Sequence, residues 1–288
     1  MISVIICSIR PELLEKLQTN IAATIGAPYE IVAVDNRDTG EGICKVYNRA
    51  AAAAKFDVLC FLHEDLILHT KNWGNVLATV FADKKTGLAG ISGAVFKSKY
   101  PATWSACDPR YYRTNSIQHF RGHSTPEAAG FNPGNETLSE VAVIDGVFMA
   151  TTKKVFEQYR FDEVLLTGFH GYDLDYSLQV GSGYKVVVTH EIMVEHLSEG
   201  NLNKTWLDNS IALHKKWSTV LPMIKTAMSS TDIKRNDYMA CCSVIYIALK
   251  NPGYKKLVFR YYLKLLSDFF LLNKLKYSRS VMKYILQK

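Results

Sequence analysis

Short apolar runs alternate with segments of helical character along the first part of the chain. Residues 2–7 form an apolar run, a helical segment begins near Pro11, and a second apolar run occupies residues 30–34. An alanine-rich helical segment at 42–55 precedes a third apolar run at 57–62. Proline suits the first turn of a helix, and uninterrupted apolar runs are typical of strands buried on both faces of a parallel sheet. The order β-α-β-α-β predicts a doubly wound α/β domain.

The same alternation continues to about residue 200. Further strands are predicted at 87–95, 141–150 and 184–189, and further helices at 73–82 and from near Tyr172. Residues 98–139 are polar, aromatic and rich in turn-forming residues. They predict a long irregular segment, which in a compact domain is usually a functional loop or a disordered one. Beyond about Asn201 the chain is predicted to be mostly helical.

Polar side chains follow the first three predicted strands at their carboxyl ends. They are Ser8 and Arg10, Asp35 and Asn36, and Glu64 and Asp65. In open α/β sheets this edge is where ligands bind. The third apolar run ends, after His63, in two adjacent carboxylates, and buried carboxylates are costly unless they hold a cation or a donor. The pattern therefore predicts a divalent-metal site at the carboxyl edge of the sheet.

Each of these acidic pairs also has a simpler structural explanation. Glu64 and Asp65 could cap a helix or a turn, since Asp is a good cap. Two adjacent acids after a buried strand favour the metal site over that explanation. Asp35 and Asn36 are an ordinary turn signal, although at the end of an inner strand an Asp can also accept a donor from a nucleotide.

Two later residues carry the same kind of alternative. Asp173 is either a first-turn helix residue favoured by the helix dipole or a pocket carboxylate that acts as a general base, and Asp175 points elsewhere because it lies two residues on. His196 is either a hydrogen-bonded structural residue or a ligand that, beside oxygen ligands, suits Mn²⁺ over Ca²⁺. The other histidines, His63 among them, have no spacing that distinguishes them.

Composition and missing motifs exclude several function classes. The 288 residues are 48% apolar and 21% charged, as in globular proteins. The sequence contains no GxGxxG, GxxxxGK[ST], HExxH or GxSxG motif, so common dinucleotide, phosphate-loop and hydrolase markers are missing. Six cysteines without CxxC spacing favour reduced, buried thiols in a cytosolic protein. The amino terminus is predicted to be a strand and not a signal peptide.

The net charge of +7 is unevenly distributed. Residues 234–288 contain twelve Lys or Arg and two acids, a net charge of +10, which leaves −3 for the rest. A basic appendage fits either nucleic acid or an anionic membrane. Because its charges are mixed with large aliphatic side chains, we expect packing or lipid contact and no nucleic acid. The apolar stretch at 238–249 is too short to span a bilayer.

The carboxyl-terminal part of this appendage predicts an amphipathic helix over residues 257–275. A polar stripe recurs every four residues, at Lys256, Arg260, Lys264 and Asp268, and leaves a broad apolar face. That face either packs on the catalytic domain or a second subunit, or lies on the inner membrane surface.

Taken together, the segments resemble a GT-A glycosyltransferase of family 2, in its streptomycin-biosynthesis-like branch. The resemblance is carried by Ser3–Arg10, Ile31–Asn36, Phe61–Asp65, Asp145–Phe148, Tyr172–Asp175 and His196. It covers roughly residues 1–205 and implies a GT-A catalytic domain, a Rossmann-like, mostly parallel sheet flanked by helices. Residues 206–288 would then be a helical, basic and amphipathic extension.

The resemblance implies a role for individual positions. On the nucleotide side it implies that the loop residues Cys7, Ser8, Ile9 and Arg10 line the nucleotide. Asp35 would accept a hydrogen bond from the base, and Glu64 would face the ribose. Asn48 would support the nucleotide side of the pocket. It implies that Asp65 binds the metal and that His196 is the distal metal ligand. On the acceptor side it implies that Asp145 and Gly146 form the acceptor-side turn and that Asp173 is the catalytic base. Two positions depart from the family: His63 replaces the first Asp of the DxD motif, and Tyr172 replaces the Glu before the base.

The implied function is transfer of a sugar from a UDP-, GDP- or dTDP-sugar to a hydroxyl of an unidentified glycan or lipid-linked acceptor, assisted by Mn²⁺ or Mg²⁺. The expected outcome is inversion, in polysaccharide or glycoconjugate synthesis, by a cytoplasmic protein. Peripheral contact with the inner membrane face through 256–288 and a homodimer are further expectations. The alternatives are a nucleotidyltransferase, which usually has a glycine-rich basic loop after the first strand, and a non-catalytic scaffold built on a decayed transferase domain.

Overall fold

The structure, a computed structural model, describes residues 1–269 and 277–286. The helices in these ranges are α1 (Pro11–Thr24), α2 (Ile43–Ala53), α3 (Trp73–Val80), α4 (Lys153–Gln158), α5 (Tyr172–Val180), α6 (Lys204–Lys216), α7 (Ser230–Lys250), α8 (Lys255–Asp268) and α9 (Ser278–Leu286), with a 3₁₀ turn at Pro109–Tyr111. The strands are β1 (Ile2–Ser8), β2 (Tyr29–Asp35), β3 (Val58–Leu62), β4 (Leu66–Leu68), β5 (Thr86–Gly90), β6 (Ser92–Ala94), β7 (Phe96–Lys97), β8 (Tyr112–Gln118), β9 (Glu127–Phe131), β10 (Leu138–Glu140), β11 (Val143–Ile144), β12 (Phe148–Thr152), β13 (Lys185–Thr189), β14 (Val194–His196) and β15 (Met223–Ile224).

Seven strands of the described chain form the central sheet, in the order β10-β13-β5-β12-β3-β1-β2. Strands β2, β1 and β3 are parallel to one another, as the β-α-β-α-β pattern predicts. The apolar runs of β1 and β3 are continuous because both of their faces are covered. Strand β2 is instead the edge strand of the sheet and is half-exposed, so Asp35 does not end an inner strand as expected. Ile5 and Phe61 pack with α2 on one face, whereas Ile6 and Leu62 pack with α1 and α3 on the other. The first three predicted strands and the two helices between them are therefore confirmed.

The single strand predicted at residues 141–150 is wrong. The chain instead forms β11 and β12, which belong to different sheets and are separated by a turn at Asp145–Val147. The Asp145 carboxylate accepts a hydrogen bond from the Val147 amide at 2.9 Å, which stabilises the turn. Strand β12 then runs antiparallel between β3 and β5. An apolar run alone carries no sign of such a turn, and the run at 87–95 is divided in the same way into β5 and β6.

The irregular segment predicted at 98–139 is also wrong, since it contains the 3₁₀ turn and the strands β8, β9 and β10. In the part of the chain that the structure describes, β8 is central to a second sheet of order β11-β6-β8-β14-β4, with β9 paired beside it. The sequence of β8, Tyr-Arg-Thr-Asn-Ser-Ile-Gln, is mostly polar and half-buried. It therefore lacks the apolar alternation by which a strand is usually detected.

The last part of the described chain is helical, as predicted. Apolar side chains of α7, α8 and α9 form a cluster with α6, and its buried members include Val244, Ile245, Val258, Leu265 and Val281. The amphipathic helix predicted for 257–275 corresponds to α8 as far as Asp268, and its residues 270–275 lie outside the described residues. None of the described helices is long and apolar enough to cross a membrane.

Candidate active site

The carboxyl ends of the three parallel strands meet at one edge of the central sheet. In the register of the sheet Ser8 of β1 lies beside Asp35 of β2, and Ile6 of β1 lies beside Leu62 of β3. The segment His63–Asp65 follows β3 directly. The polar residues that end these strands therefore share one rim, which is where an open α/β sheet binds its ligands.

Among the described residues one group of side chains has the spacing of a metal site, and it consists of His63, Asp65 and His196. Their ligand atoms all lie within 4.8 Å of one another. The Nε2 atom of His196 lies 3.6 Å from Asp65 Oδ1. Strand β14 places His196 there because it pairs with β4, opposite Leu66. Two imidazoles and one carboxylate are a donor set that suits Mn²⁺ better than Ca²⁺.

The electrostatics of the group keep its carboxylate ionised. Burial of the Asp65 carboxyl works against ionisation, but its interaction with the nearby His196 outweighs burial and holds the pKa of Asp65 well below its usual range. Burial, followed by the nearby charge of His196, lowers the pKa of His63. An anionic Asp65 beside a neutral His63 is the protonation state that a metal ion requires of its ligands.

His63 and Gln118 are site residues that sequence reasoning missed. His63 has no distinctive spacing, although its place between a buried strand and two acids was an available signal. Gln118 ends β8, where the parallel register puts it beside His196. Its Oε1 lies 3.0 Å from His196 Nδ1, so the amide carbonyl accepts from that nitrogen and leaves Nε2 free to face Asp65. Because β8 was not predicted, this second contact was not foreseeable.

Glu64 holds the loop that follows β1. Its Oε2 accepts hydrogen bonds from Ser8 Oγ at 2.6 Å, from the Ile9 amide at 3.1 Å and from the Arg10 amide at 3.0 Å. The Arg10 guanidinium bridges both acids, with Nε 3.2 Å from Glu64 Oε1 and Nη2 3.4 Å from Asp65 Oδ2. Burial, reinforced by the charge of Glu64, raises the pKa of Cys7 to about 11, so this thiol is not a nucleophile at neutral pH.

The turn Asp145–Gly146 and the start of α5 form a second group beside the first. The Gly146 amide donates to Asp173 Oδ2 at 3.2 Å, and Trp104 Nε1 donates to Asp145. Tyr172 connects this second group to the candidate metal site of His63, Asp65 and His196. Its hydroxyl lies 2.7 Å from His63 Nε2 and donates to the Gly146 carbonyl at 3.1 Å. The predicted base and the predicted metal ligands are therefore connected through one buried tyrosine.

The carboxyl of Asp173 is buried, and its pKa is raised. Burial, followed by the negative charge of Asp145, raises the pKa of Asp173 to about 7. A base works best when its pKa lies near the operating pH. Asp175 points away, as predicted: its carboxylate is buried and binds Lys216 Nζ at 2.8 Å and Trp217 Nε1 at 2.7 Å.

Two of the predicted nucleotide-side residues have other partners. Asp35 is exposed at the end of β2, and hydrogen bonds from Arg37 lower its pKa to about 2. Asn48 lies on α2 and connects it to the chain before α5, donating to the Phe161 carbonyl at 2.9 Å and to Glu163 Oε2 at 2.7 Å. Their roles towards a nucleotide stay predictions.

Comparison with known proteins agrees with this fold. The sequence model of a family described as "Glycosyltransferase like family" matches residues 3–217, more than half of the chain. The chain belongs to this family, and its class is that of the glycosyltransferases. Among the curated proteins, none matches the sequence.

Three solved structures are similar to the chain. S. aureus TarS 1-349 has a TM-score of 0.54 at 12% identity, with 93% of this chain and 79% of that one covered. Mannosyltransferase PcManGT from Pyrobaculum calidifontis, in complex with GDP-Man and Mn²⁺, has a TM-score of 0.49 at 12% identity, covering 99% and 86%. GalNAc-T7 with UDP, GalNAc and Mn²⁺ has a TM-score of 0.47 at 15% identity, covering 86% of this chain and 55%, about half, of the other. The similarity to TarS supports the fold alone, and the expected GT-A fold with its helical carboxyl-terminal region is confirmed.

Proposed function

We propose that this protein transfers a sugar from a nucleoside-diphosphate sugar to an acceptor hydroxyl, with Mn²⁺ or Mg²⁺ as its cofactor. The observation that carries the proposal is the convergence of His63, Asp65 and His196 on one point beside the carboxyl ends of the parallel strands. Asp173 lies one buried tyrosine away, with the pKa of a general base. Residues 1–205 would carry the chemistry, and residues 206–288 would form an appendage to it.

Asp65 and His196 would hold the cation, and His63 would take the place of the missing first Asp of the DxD motif. When bound, the cation neutralises the charge of the diphosphate and so makes it a better leaving group. Arg10 is placed to assist, because its guanidinium already contacts Asp65 and is itself 45% exposed. It can therefore reach from Asp65 towards a phosphate without leaving the loop.

The nucleotide would lie over the loop Cys7–Arg10, whose shape is fixed by Glu64. Three donors hold Glu64 Oε2, so Glu64 serves the nucleotide chiefly by positioning this loop, with the ribose contact made from the same place. Asp35, exposed on the same rim, would accept a donor from the base by exchanging its bond with Arg37. Asn48 would brace this side through its contacts with Phe161 and Glu163.

On the acceptor side, Asp173 would accept the proton of the attacking hydroxyl. The Gly146 amide, in the turn Asp145–Gly146, donates a hydrogen bond to this carboxylate. Trp104, bonded to Asp145, adds an aromatic side chain at the border of this subsite. A single base acting in a direct displacement inverts the anomeric centre, and inversion is the outcome we propose.

The helical region supplies a surface for an anionic membrane, where a lipid-linked acceptor would be found. On α8 the apolar side chains of Phe259 and Leu263 are 50% and 48% exposed. Exposed Lys256 and Arg260 alternate with them on the same side of the helix. Exposed apolar side chains among basic ones are typical of helices that lie in a membrane interface.

The membrane contact is tested by flotation with vesicles of phosphatidylcholine containing phosphatidylglycerol, compared with phosphatidylcholine alone. The variant Phe259→Ser/Arg260→Glu should lose binding to the anionic vesicles. Lys84→Glu/Lys85→Glu, a charge change at exposed residues near β5, is the control and should bind as the wild type does. Equal flotation of all three proteins would exclude the α8 surface as the contact.

The proposed function is tested by thermal unfolding with UDP, GDP and dTDP, each with and without Mn²⁺. A ligand that binds only the folded protein stabilises it by about 2.7 kcal/mol at one hundred times its Kd. We expect one nucleotide to raise the unfolding temperature, and Mn²⁺ to increase that effect. Hydrolysis of the matching nucleotide sugar then separates a transferase from a non-catalytic scaffold, and release of pyrophosphate from a nucleoside triphosphate would indicate a nucleotidyltransferase. The absence of any metal-dependent stabilisation would exclude the proposal.

A further inference from the structure

The hydroxyl of Tyr172 lies between two groups of the site that belong to different strands. It is 2.7 Å from His63 Nε2, just after β3, and 3.1 Å from the carbonyl oxygen of Gly146, before β12. Both distances are within hydrogen-bond range.

The two hydrogen bonds determine which nitrogen of His63 carries the proton. A carbonyl oxygen can only accept, so the single proton of the Tyr172 hydroxyl goes to Gly146. The hydroxyl oxygen must then accept from His63, which places a proton on Nε2. In a neutral imidazole the other nitrogen, Nδ1, is then unprotonated. His63 Nδ1 therefore has a lone pair, and the ring lies in the group formed with Asp65 and His196.

The position of Tyr172 is rigid enough to impose this arrangement. Its side chain is only 4% exposed and is held in edge contacts by Tyr47 and Phe161, with ring centroids 5.8 Å and 6.1 Å away. At Gly146 a Cβ atom would lie 2.3 Å from the Tyr172 hydroxyl, so the absence of a side chain there is what allows the contact. The ring is thus fixed at both its edge and its hydroxyl.

We propose that Tyr172 is a positioning residue, which holds His63 as its Nε2–H tautomer so that Nδ1 serves as the third protein ligand of the cation. This inference rests on the proposed function. Tyr172 also connects the cation site to the proposed base. Gly146 accepts a hydrogen bond from Tyr172 through its carbonyl and donates one to Asp173 through its amide. Partners that orient ligating imidazoles commonly determine metal affinity by 10- to 100-fold.

The tautomer is measured on the metal-free protein, independently of any activity. Long-range ¹H–¹⁵N spectra of uniformly ¹⁵N-labelled protein at pH 8 distinguish the two tautomers of each of the eight histidines. The His63→Ala variant identifies the signals of His63 by their loss. We expect Nε2–H in the wild type and a mixture of tautomers in Tyr172→Phe. An Nδ1–H tautomer of His63 in the wild type would overturn the proposal.

Metal affinity is measured by titration with Mn²⁺, followed by electron paramagnetic resonance. We expect Tyr172→Phe to weaken Mn²⁺ binding about 10- to 100-fold. Tyr47→Phe is the matched control, because the Tyr47 hydroxyl is buried, lies in the same aromatic group and has no hydrogen-bond partner among the described residues. It should bind Mn²⁺ as the wild type does, so a loss common to both variants would indicate general packing damage and contradict the proposal.

A double-mutant cycle shows whether Tyr172 acts through His63. In a His63→Ala background, Tyr172→Phe should have little further effect on Mn²⁺ affinity, because contacting residues with one shared action are not additive. Full additivity of the two losses would overturn the proposal even if each variant alone binds Mn²⁺ more weakly. If the wild type binds no Mn²⁺, the proposed function fails, whereas the tautomer measurement still decides the arrangement of Tyr172 and His63.

Discussion

The Nε2 atom of His196 faces Asp65 Oδ1 across 3.6 Å, a separation longer than a hydrogen bond. Asp65 lies between β3 of the central sheet and β4 of the second sheet, and His196 ends β14, which pairs with β4. The second sheet carries an imidazole to the carboxyl edge of the first sheet, and Gln118 of β8 orients that imidazole.

Changing either of these side chains should strongly weaken cation binding. We expect Asp65→Asn and His196→Ala to weaken Mn²⁺ binding by more than about 100-fold, the upper end of the loss caused by removing a ligand's outer partner. Isothermal titration of the metal alone measures this directly. His123→Ala is the control, since that exposed histidine pairs with Glu127 away from the cluster. Binding at wild-type affinity in His196→Ala would remove His196 from the site.

Activity should depend on pH through the ionisation of Asp173. Only the carboxylate accepts a proton, and the pKa of Asp173 is about 7. We therefore expect kcat/KM to rise about tenfold per pH unit below 7 and to level off above it. Asp173→Asn should lower kcat by about 10²- to 10⁴-fold, measured as nucleoside diphosphate release with water as acceptor. Undiminished release by this variant, with intact Mn²⁺ binding, would show that another group is the base.

The same raised pKa predicts a cost in stability that Asp173→Asn should remove. The pKa of an unfolded Asp is about 3.9, so between pH 4 and 7 the unfolded chain is ionised at this position while the folded carboxyl stays protonated. The folded state therefore loses stability as pH rises through this window, and the loss is complete above about pH 7. Asp173→Asn should raise the unfolding temperature at pH 8 and much less at pH 4.

Asp35→Asn is the matched control for this measurement. Hydrogen bonds from Arg37 lower the pKa of Asp35, so its ionised form favours the folded state, and the stabilisation is present above about pH 4 and lost as pH falls through 2. We expect no gain in unfolding temperature for Asp35→Asn at either pH. A gain of the same size in both variants would mean that loss of charge alone, and not the burial of Asp173, is responsible.

A methyl group at Gly146 should disturb both halves of the site. The Cβ of Gly146→Ala would lie 2.3 Å from the hydroxyl of Tyr172 and 2.6 Å from its Cζ. The ring therefore has to shift, which disturbs the contact of its hydroxyl with His63. Overpacking of this kind costs about 1–3 kcal/mol, and we expect a lower unfolding temperature together with weaker Mn²⁺ binding. Gly130→Ala in β9, where a Cβ meets open space, is the control. Unchanged Mn²⁺ affinity in Gly146→Ala would contradict this account.

The central part of the fold could be predicted because its signals are local. The apolar runs of β1, β2 and β3, with helices between them, determine a parallel sheet and therefore the edge where Arg10, Glu64 and Asp65 meet. Each of these residues follows its strand directly in the sequence. No knowledge of distant contacts was needed to bring them together.

The rest of the site depends on contacts that no local pattern encodes. Tyr172 could not be assigned to His63, because the contact arises only when α5 packs against the turn at Gly146. Gln118 could not be predicted because it belongs to β8, whose polar, half-buried sequence does not show the pattern of a strand. The partners of Asn48, at Phe161 and Glu163, likewise depend on packing between segments far apart in the chain.

Lys97 provides a further test of the structure, because it is a lysine with almost no exposure and a carbonyl as its partner. It is 1% exposed, and its Nζ donates to the Ala102 carbonyl at 2.7 Å. Burial lowers the pKa of Lys97 to about 7, whereas an unfolded lysine titrates near 10.4. Between these values the unfolded chain is charged and the folded side chain neutral, so folding should become more favourable as pH rises from 7 towards 10.

Replacing this lysine by an uncharged side chain should remove that pH dependence. We expect the difference in unfolding free energy between the wild type and Lys97→Met to move in favour of the wild type between pH 7 and 9.5, by roughly 1.4 kcal/mol for each pH unit at most. Urea unfolding at several pH values measures it. Lys185→Met, at a half-exposed lysine that pairs with Asp83, is the control and should show no such trend. A difference that stays constant across this range would mean that Lys97 is charged in the folded protein, and that the segment around Ala102 admits more solvent than its burial indicates.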